Sequence, residues 1–501
     1  MKQSTTPLLI RIDERRPLQQ QIYAEVRRAI LEGVVAPGAR LLSSRALADE
    51  LTVSRTTTLL AYEQLVAEGY LTSHQGSGTF VARELPDDMP GIRVSTAASK
   101  TREARISKRG AELAAVPPPG LRVGGPPRPF RLGTPGLDLF PVRLWSKLAH
   151  RRLKSATLVQ LDYGDARGLP LLREAIAEHV SSARGTRCTA DHVIIVAGAQ
   201  RGVEMICRLV LDPGDRAWTE EPGYPGARSA LLAAGADIVP VRVDGDGLDV
   251  SYGERRAPDA RLAYVTPSHQ FPAGVPMSLS RRLALLKWAS RARSWVVEDD
   301  YDSEFRYGTR AVPCLHGLDV DGCVIYVGSF AKTLFPALRL GFLIVPPGLR
   351  ETIRAVRRAS DVHPPTLDQA TLADLMIEGH YQRHLRQMRA AYLERLGALS
   401  DALRRFCGDA VRLRPVRTGL HAVADLYGAD AVRVHQEAAA RGVEATPLSA
   451  YFIGRPKDAN ALVLGFAAIG PESIVKGAEK LAGAIEAARK GGGSGARLNA
   501  S

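Results

Sequence analysis

The sequence predicts an α/β protein with two domains, a small N-terminal domain rich in helix and a large domain with a mostly parallel sheet. Residues 10–83 show helical periodicity and close with a glycine-rich hairpin. Over residues 129–490, short apolar runs alternate with amphipathic helical stretches. Residues 84–128 separate the two, carry clusters of Pro and Gly with little periodicity, and are predicted to form a linker.

Length and composition agree with a globular protein of more than one domain. The chain has 501 residues, of which 45% are hydrophobic and 24% charged. A net charge of +14 suits a polyanionic partner, but the excess is spread over a long chain and does not by itself indicate one. Five cysteines without a C-x-x-C pair argue against a disulfide framework or zinc knuckle. Without a signal-peptide pattern or a bilayer-length apolar run, we expect a cytoplasmic protein with no membrane partner.

The first two predicted helices belong to the N-terminal domain. Leu18–Leu31 carries apolar residues at helical spacing, namely Ile22, Val26 and Ile30. A glycine and a Pro-Gly turn follow this helix. A second, short helix is expected over Arg45–Leu51 with Ser44 as its cap.

The third helix and a hairpin complete this domain. Ser54 is the predicted cap, Gly69 ends the helix, and one face carries Leu59, Tyr62, Leu65 and Val66. Residues 70–72 and 79–81 are predicted to pair around the glycine-rich residues 75–78. Two short helices joined by a tight turn and followed by such a hairpin are typical of a winged helix-turn-helix.

The start of the third helix is the candidate nucleic-acid contact. It opens with Arg55 followed by three threonines, and β-branched residues are poor helix formers. Their use is explained if hydroxyl and backbone N–H groups meet phosphates, while Arg55 reaches a guanine edge or a phosphate. A small helical protein-interaction domain is the alternative interpretation.

Four short apolar runs are predicted as strands of the large domain: His192–Val196, Arg261–Val265, Trp295–Glu298 and Cys323–Val327. Helical stretches such as Leu279–Ala292 separate several of them, which is typical of a parallel sheet covered on both faces. Polar residues follow each strand, among them Gln200, His269, Asp299 and Ser329. Because ligands bind at the carboxyl ends of parallel strands, these residues are expected to line one site.

A lysine after the last of these strands gives the strongest chemical signal. Lys332 comes three residues after Ser329 and seven before Arg339. A lysine amine can form a Schiff base with an aldehyde cofactor, and Ser329 and Arg339 can hold the cofactor's phosphate. Asp299, at the end of another buried strand, can pair with a pyridinium nitrogen. The alternatives are a surface lysine and a simple strand-end carboxylate.

The N-terminal motifs resemble the winged helix of the GntR family. The resemblance rests on Leu41–Arg45, Val53–Thr57 and Glu68–Leu71, with Leu42 standing where the family usually has a proline. It implies a set of DNA-contacting residues: Arg45, Ser54, Arg55, Thr56, Thr57, and the wing glycines Gly76 and Gly78.

The large domain resembles the fold type I, aspartate-aminotransferase-like enzymes, with a smaller C-terminal α/β subdomain. This resemblance implies pyridoxal 5′-phosphate bound to Lys332 as an internal aldimine, with Asp299 at the ring nitrogen and Tyr301 at the ring hydroxyl. Tyr224 would stack on the ring, and Ala199 and Gln200 would offer backbone N–H groups to the phosphate. His269 or Gln270 would lie near the ring hydroxyl.

The fusion of these two domains resembles the MocR/GabR-type regulators, and Glu298–Phe305 is similar to their signature. The resemblance implies a transcription regulator that binds a paired double-stranded DNA operator as a domain-swapped, head-to-tail homodimer. Its effector would be an amine, an amino-acid-like molecule or pyridoxal phosphate itself.

Two departures concern the effector. The stretch Asn460–Gly465 lacks the arginine with which aminotransferases usually bind an α-carboxylate. Gly226 stands where members that sense γ-aminobutyrate have an arginine. A carboxylate held in the usual way is therefore not expected, and Arg417 and Arg228 are left as substitutes.

Two other functions stay open at this stage. One is an active aminotransferase with an accessory DNA-binding module, since the residues for a transamination half-reaction are present. The other is a regulator whose large domain binds no cofactor and serves as a dimerisation scaffold.

Overall fold

The computed structural model describes residues 13, 16–74, 78–86, 105–116, 125–308, 313–454, 456 and 459–493. The chain divides into two compact units, Met1–Ala104 and Arg105–Ser501. Among the described residues, no helix is both long and apolar enough to cross a membrane.

The first unit contains three helices and a hairpin: α1 (Leu18–Leu31), α2 (Ser44–Leu51), α3 (Arg55–Ala67), β1 (Leu71–His74) and β2 (Gly78–Val81). The two strands are antiparallel and pair Leu71 with Val81. The predicted order of a helix-turn-helix followed by a wing is confirmed. Helix α1 has the predicted bounds, and it buries Ile22, Val26 and Ile30.

Of the two helix caps predicted in the first unit, the structure contains one. Ser54 Oγ accepts a hydrogen bond from the Thr56 N–H and caps α3, as predicted. The prediction that Ser44 caps α2 is wrong by one residue, since Ser43 Oγ accepts from the Ala46 N–H. Either of two adjacent serines can cap a helix, so the sequence alone does not distinguish Ser43 from Ser44.

The buried face of α3 also differs from the prediction. It consists of Thr58, Ala61, Tyr62 and Leu65, whereas Leu59 and Val66 are exposed. The Thr58 hydroxyl donates to the Ser44 carbonyl at 2.7 Å and ties α3 to α2. A threonine can join an apolar face when its hydroxyl is satisfied in this way, and hydrophobic periodicity alone does not register it.

The second unit is an assembly of helices around two sheets. Its helices are α4 (Lys108–Ala115), α5 (Val142–Lys154), α6 (Leu158–Leu161), α7 (Pro170–Arg184), α8 (Ala199–Val210), α9 (Pro225–Ala234), α10 (Val250–Arg256), α11 (Leu279–Ala292), α12 (Leu315–Leu318), α13 (Arg350–Ser360), α14 (Thr366–Ile377), α15 (His380–Cys407), α16 (Ala431–Ala440) and α17 (Pro471–Gly493). Helix α4 lies within the stretch predicted as linker.

Its strands are β3 (Val193–Val196), β4 (Arg216–Glu221), β5 (Asp237–Asp244), β6 (Gly247–Leu248), β7 (Leu262–Val265), β8 (Trp295–Asp300), β9 (Val324–Ser329), β10 (Gly341–Ile344), β11 (Val411–Leu413), β12 (His421–Leu426), β13 (Thr446–Pro447) and β14 (Ala461–Gly465). The four strands predicted from the sequence correspond to β3, β7, β8 and β9. Polar residues in β4 and a proline in β5 conceal those strands from a search for apolar runs.

The large sheet has the order β3-β10-β9-β8-β7-β4-β5-β6. Strand β10 is antiparallel to both neighbours and β6 to β5, while the pairings from β9 to β5 are parallel. The predicted mostly parallel sheet is therefore confirmed. A second, antiparallel sheet has the order β11-β12-β14-β13 and forms the smaller C-terminal subdomain with α16 and α17.

Helices cover both faces of the large sheet. Because successive side chains of a strand point to opposite sides, each strand contributes to two cores. On β8, Val296 packs into one core with Trp288, and Val297 packs into another with Val203 of α8. With both faces buried, the strand ends are the places where polar side chains can meet a ligand.

Candidate functional site

Strand register brings the predicted site residues to one edge of the large sheet. Asp299 of β8 lies opposite Val327 of β9 in the parallel pairing. Gly341 of β10 pairs with Ser329 of β9 on one side and with Val196 of β3 on the other. The carboxyl ends of β8, β9 and β3 therefore lie along one side of the sheet, with the start of β10 between β9 and β3, although the residues they carry are far apart in sequence.

Lys332 lies three residues beyond β9 and is half-buried. Its Nζ donates a hydrogen bond to the Gly133 carbonyl at 2.6 Å. Burial lowers the pKa of this amine, and the carboxylates of Asp302 and Asp299 oppose the shift. A lysine with a lowered pKa loses its proton more readily and becomes a better nucleophile.

Asp299 presents one satisfied and one free carboxylate oxygen. Its Oδ2 accepts a hydrogen bond from the Tyr264 hydroxyl at 2.5 Å. Its Oδ1 is buried and has no hydrogen-bond partner among the described residues. Burial raises the pKa of Asp299 to about 6, against the opposing effects of the Tyr264 hydrogen bond and the Lys332 charge. A buried, unpaired carboxylate oxygen requires a donor, and a protonated ring nitrogen is one.

Ala199, Gln200 and Arg339, three of the predicted phosphate ligands, lie at the N-terminus of α8. Gly198, with a φ of 88°, immediately precedes the helix, so Ala199 and Gln200 supply N–H groups of its first turn. A Cβ on Gly198 would lie 3.0 Å from an Arg339 guanidinium nitrogen, which places that cation beside the helix start. Arg339 itself has a φ of 52°, an unusual backbone conformation for a residue with a side chain. A helix N-terminus beside a guanidinium is suited to an anion.

Tyr224 directly precedes α9 and is held by close packing. A Cβ on Gly226 would lie 2.4 Å from Tyr224 Cε1 and 2.2 Å from Gln200 Oε1. The Gln200 side-chain amide donates to the Gly226 carbonyl at 2.8 Å. Burial raises the pKa of Tyr224 to about 12, so the phenol is neutral. Gln200 thus reaches the site through its side chain as well as its backbone, and no side chain fits at Gly226 without displacing one of these groups.

Tyr301, His269 and Asp302 form a connected group. The Tyr301 hydroxyl lies 3.1 Å from His269 Nδ1, and the same nitrogen lies 3.0 Å from Asp302 Oδ2. His269 therefore lies beside Tyr301, the residue expected at the ring hydroxyl. Gln270 does not: its side-chain amide donates to Glu220 and to the Pro222 and Phe271 carbonyls, and it holds a loop together.

Three residues of this region were not singled out from the sequence. Asp302 belongs to the acidic segment after β8, so the strand-end pattern could have found it, whereas Tyr264 lies within β7 and within the predicted apolar run. His421 offers no local signal. It comes from the small subdomain, lies with its ring centroid 4.6 Å from that of His269, and its Nε2 donates to the Pro272 carbonyl.

The candidate DNA contacts lie on the first unit. Arg45, Ser54, Arg55 and Thr56 are exposed, and Thr57 is half-buried. These residues occupy the first turns of α2 and α3 and the cap before α3.

At the wing, Gly78 begins β2 with a φ of 113°. A Cβ on Gly78 would lie 2.9 Å from Arg40 Nε, so this exposed arginine lies against the wing and is a further basic residue there. Gly76 lies outside the described residues. Arg40 comes shortly before α2 in the sequence, but only the structure places it beside the wing.

The two substitute arginines have different surroundings. Arg228 lies on α9 and lines a cleft with Tyr224, Glu221 and Tyr451. Arg417 is exposed, and its carbonyl accepts from the Tyr307 N–H. Of the two arginines, Arg228 is the one that shares a cleft with Tyr224.

Comparison with known proteins supports both halves of this architecture. Residues 18–81 match the bacterial regulatory proteins of the gntR family, and residues 141–455 match the aminotransferases of class I and II. The probable rhizopine catabolism regulatory protein MocR of Rhizobium meliloti is 38% identical over 480 residues, 95% of each chain. The pyridoxine biosynthesis transcriptional regulator PdxR of Corynebacterium glutamicum is 31% identical over 463 residues, 92% of this chain and 94% of that one.

Among solved structures, the large unit is similar to the α-aminoadipate aminotransferase LysN of Thermus thermophilus, in complex with N-(5′-phosphopyridoxyl)-L-leucine. The TM-score is 0.65 and the identity 28%, over 76% of this chain and 95% of that chain. The fold and the site thus define a helix-turn-helix protein fused to an aminotransferase-like domain. The chain belongs to the MocR-type subfamily of GntR transcriptional regulators, so the resemblance read from its motifs is confirmed.

Proposed function

We propose that the protein is a transcription regulator in which the large unit binds pyridoxal phosphate and the first unit binds an operator. The large unit would sense an amine, an amino-acid-like effector or the cofactor itself. The observation that carries this proposal is the joint presence of two sites. One chain contains an exposed basic start of α3 and, in the large unit, a half-buried lysine with the surroundings that an aldehyde cofactor needs.

The residues at the sheet edge fit pyridoxal phosphate. Its aldehyde condenses with amines, and Lys332 supplies an amine with a lowered pKa. Asp299 Oδ1 offers the ring nitrogen an unpaired carboxylate oxygen. Arg339 and the first turn of α8, at Ala199 and Gln200, would hold the phosphate with Ser329.

The rest of the cofactor would lie between Tyr224 and Tyr301. In this proposal the Tyr224 ring stacks on the cofactor, and the Tyr301 hydroxyl, backed by His269, meets the ring hydroxyl. A free amine would compete with Lys332 for the aldehyde, which gives the site a way to respond to an effector.

The first unit would bind double-stranded DNA through Arg45, Arg55 and the hydroxyls before and within the first turn of α3. The Ser54 and Thr56 hydroxyls lie at a helix start, where phosphate is favoured. Thr57 and the wing glycines, Gly76 and Gly78, complete the proposed contact. Thr58 is excluded from it because its hydroxyl is buried against α2.

We further propose a head-to-tail homodimer with exchanged DNA-binding modules, located in the cytoplasm where the operator is. Three large apolar side chains lie close in sequence around α6 and are strongly exposed: Leu158 (86%), Leu161 (71%) and Tyr163 (82%). An apolar patch of this kind is suited to a second copy of the chain. Two DNA-binding modules would then read a paired operator.

An active aminotransferase is the second candidate function. It is favoured by the completeness of the set around Lys332 and by the similarity to LysN. A large unit without cofactor is disfavoured, because it leaves the buried Asp299 Oδ1 without a donor.

The test combines absorption and DNA binding. Purified protein is titrated with pyridoxal phosphate beside Lys332→Ala, and each is added to a gel shift on the DNA upstream of its own gene. We expect a visible band that Lys332→Ala lacks, and a shifted DNA band that changes with cofactor or added amine. Arg55→Ala should lose the DNA shift and keep the visible band, whereas Arg404→Ala, an exposed arginine of the large unit, should change neither.

Three outcomes contradict the proposal in different ways. A colourless protein that shifts DNA would leave a regulator with a cofactor-free scaffold. A protein with the visible band but no DNA binding, or with steady turnover of an amino donor and a keto acid, would favour the enzyme.

A further inference from the structure

We propose that Tyr264 is a positioning residue that keeps Asp299 ionised and turns its free oxygen toward the ring nitrogen of the cofactor. The inference rests on the proposed binding of pyridoxal phosphate at Lys332. It concerns a residue that touches the carboxylate and acts through it.

The geometry assigns different tasks to the two carboxylate oxygens. Tyr264 lies on β7, the parallel neighbour of β8, and its side chain is 1% exposed. Its hydroxyl donates to Asp299 Oδ2 at 2.5 Å, a short, charge-assisted hydrogen bond. Fixing Oδ2 fixes the plane of the carboxylate, so Oδ1 is held in one direction. That oxygen is the buried one without a partner.

The surroundings of Asp299 otherwise disfavour its charge. The titratable groups that act on it come from several elements: Asp300 of β8, Lys332 after β9, Asp302 and Tyr301 after β8, Glu220 of β4, Tyr224 before α9, and Tyr264 of β7. Lys332 is the cation of this group, and it faces several carboxyl groups. The Tyr264 hydroxyl is the direct hydrogen-bond donor to Asp299 among the described residues.

The sign of the Tyr264 effect follows from these contacts. With the hydrogen bond in place, burial raises the pKa of Asp299 to about 6, so the carboxylate is charged at neutral pH. Removing the donor leaves Oδ2 buried without a partner and raises the pKa of Asp299 further. The phenol keeps its own proton, since burial and the Asp299 charge raise the pKa of Tyr264 well above its ordinary value. Tyr264→Phe should therefore leave Asp299 largely protonated near neutral pH, unable to stabilise a protonated ring nitrogen.

A matched control lies two strands away from β7. The Tyr326 hydroxyl of β9 donates to Asp300 Oδ2, also at 2.5 Å and also buried. Asp300 neighbours Asp299 on β8, so its side chain points to the opposite face of the sheet, where Arg184 lies 3.1 Å from it. Tyr326→Phe thus removes the same kind of hydrogen bond from a carboxylate that does not face the proposed cofactor.

The experiment measures the dissociation constant of pyridoxal phosphate, by its visible absorption, in steps from about pH 6.5 to about pH 9. Wild type, Tyr264→Phe, Tyr326→Phe and Asp299→Asn are compared after circular dichroism has verified their folding. Near neutral pH, Tyr264→Phe should bind about tenfold more weakly than wild type, the equivalent of about one pKa unit of lost interaction. The deficit should shrink as pH rises and Asp299 ionises, while Asp299→Asn stays weak throughout and Tyr326→Phe follows wild type.

The outcomes separate this inference from the proposed function. A Tyr264→Phe variant that matches wild type at every pH, or that is weakened equally at every pH, would overturn the role of Tyr264 alone. Failure of the wild type to bind pyridoxal phosphate would overturn the proposed function together with the inference.

Discussion

Three consecutive carboxyl groups at the end of β8 have different partners, because side chains alternate along a strand. Glu298 accepts hydrogen bonds from the Leu315 and His316 N–H groups, and Asp300 accepts from Tyr326. Asp299, between them, points to the other face and meets Tyr264. One acidic segment therefore supplies both structural anchors and a residue of the candidate site.

At the residue scale, Gly226→Ala tests how Tyr224 is held. The new Cβ would overlap Tyr224 and Gln200, so the Tyr224 ring must shift from its place beside the site. We expect affinity for pyridoxal phosphate to fall by roughly tenfold, as overpacking at a tight site costs on the order of 1–3 kcal/mol. The measurement is an absorbance titration.

Gly348→Ala is the control for this prediction, since a Cβ there meets nothing within 4 Å. Equal affinity in Gly226→Ala and Gly348→Ala would show that the position of Tyr224 does not matter for the cofactor.

Glu304 gives a prediction about pH. Burial opposes its ionisation, but the hydrogen bond from His179 and the charge of Arg184 outweigh burial and lower the pKa of Glu304 to about 2. A folded-state pKa below the unfolded value of about 4.3 stabilises the fold at higher pH, and this contribution disappears as pH falls through that interval. Glu304→Gln should lower the free energy of unfolding near neutral pH by on the order of 2 kcal/mol.

The check is thermal unfolding of the large unit followed from neutral pH downward. The difference in free energy of unfolding between wild type and Glu304→Gln should narrow as the solution is acidified, because wild type then loses the contribution of the ionised Glu304. Asp401→Asn, at an exposed pair with Arg404 on α15, should change little at any pH. A gap that stays constant with pH would contradict the assignment of the stabilisation to the Glu304 charge.

At the scale of elements, α4 shows how a stretch without clear periodicity can still form a helix. Ser107 Oγ accepts from the Gly110 N–H and caps it. The Arg109 guanidinium donates to the Ala233 carbonyl near the end of α9, the helix that begins after Tyr224. Helix α4 has no buried residue of its own, and Val116, directly after it, is buried in the cleft beside Tyr224. The helix is therefore held by few contacts and depends on its neighbour.

Val116→Asp tests this dependence. A charge at a buried position without a partner is strongly disfavoured, so α4 should detach from α9. Amide hydrogen exchange over residues 105–116 should accelerate by roughly tenfold, with little change in β7 to β9. Ala114→Asp places the same charge at an exposed position of α4 and should leave exchange there near that of wild type. Unchanged protection in Val116→Asp would mean that α4 is stable without its contact to the cleft.

At the scale of the whole molecule, the exposed apolar side chains around α6 bear on assembly. If a second copy covers this patch, a charge within it should separate the subunits. Leu158→Glu is expected to convert a dimer to a monomer at about micromolar concentration, measured by sedimentation equilibrium. Val320→Glu changes a side chain that is 89% exposed and should leave the molecular mass of the assembly that of the wild-type dimer. If the Leu158→Glu variant is still a dimer, the interface between the subunits lies elsewhere.

The division into units also determines how the two functions can be separated experimentally. The DNA-contact candidates belong to Met1–Ala104, whereas the cofactor candidates belong to Arg105–Ser501. Substitutions in one set should therefore leave the local chemistry of the other set intact. Any effect of a cofactor-site variant on DNA binding would then measure coupling between the units.

The sequence by itself determined the elements whose signals are local. The sequence predicted α1 and α11 to the residue, and strand-end polarity with the spacing of Ser329, Lys332 and Arg339 indicated these residues and Asp299 as cofactor candidates. Local signals suffice here because an amphipathic helix and a strand followed by a polar turn each leave a short, regular pattern.

Only the tertiary structure decided the features that depend on residues distant in sequence. The partnership of Tyr264 with Asp299, the place of His421 beside His269 and the carbonyl of Gly133 at Lys332 arise from strand order and from the small subdomain. The burial of Thr58 and the choice of Ser43 as a cap are likewise set by packing between helices. Such contacts leave no pattern in a single sequence, because their free energy depends on groups that folding alone brings together.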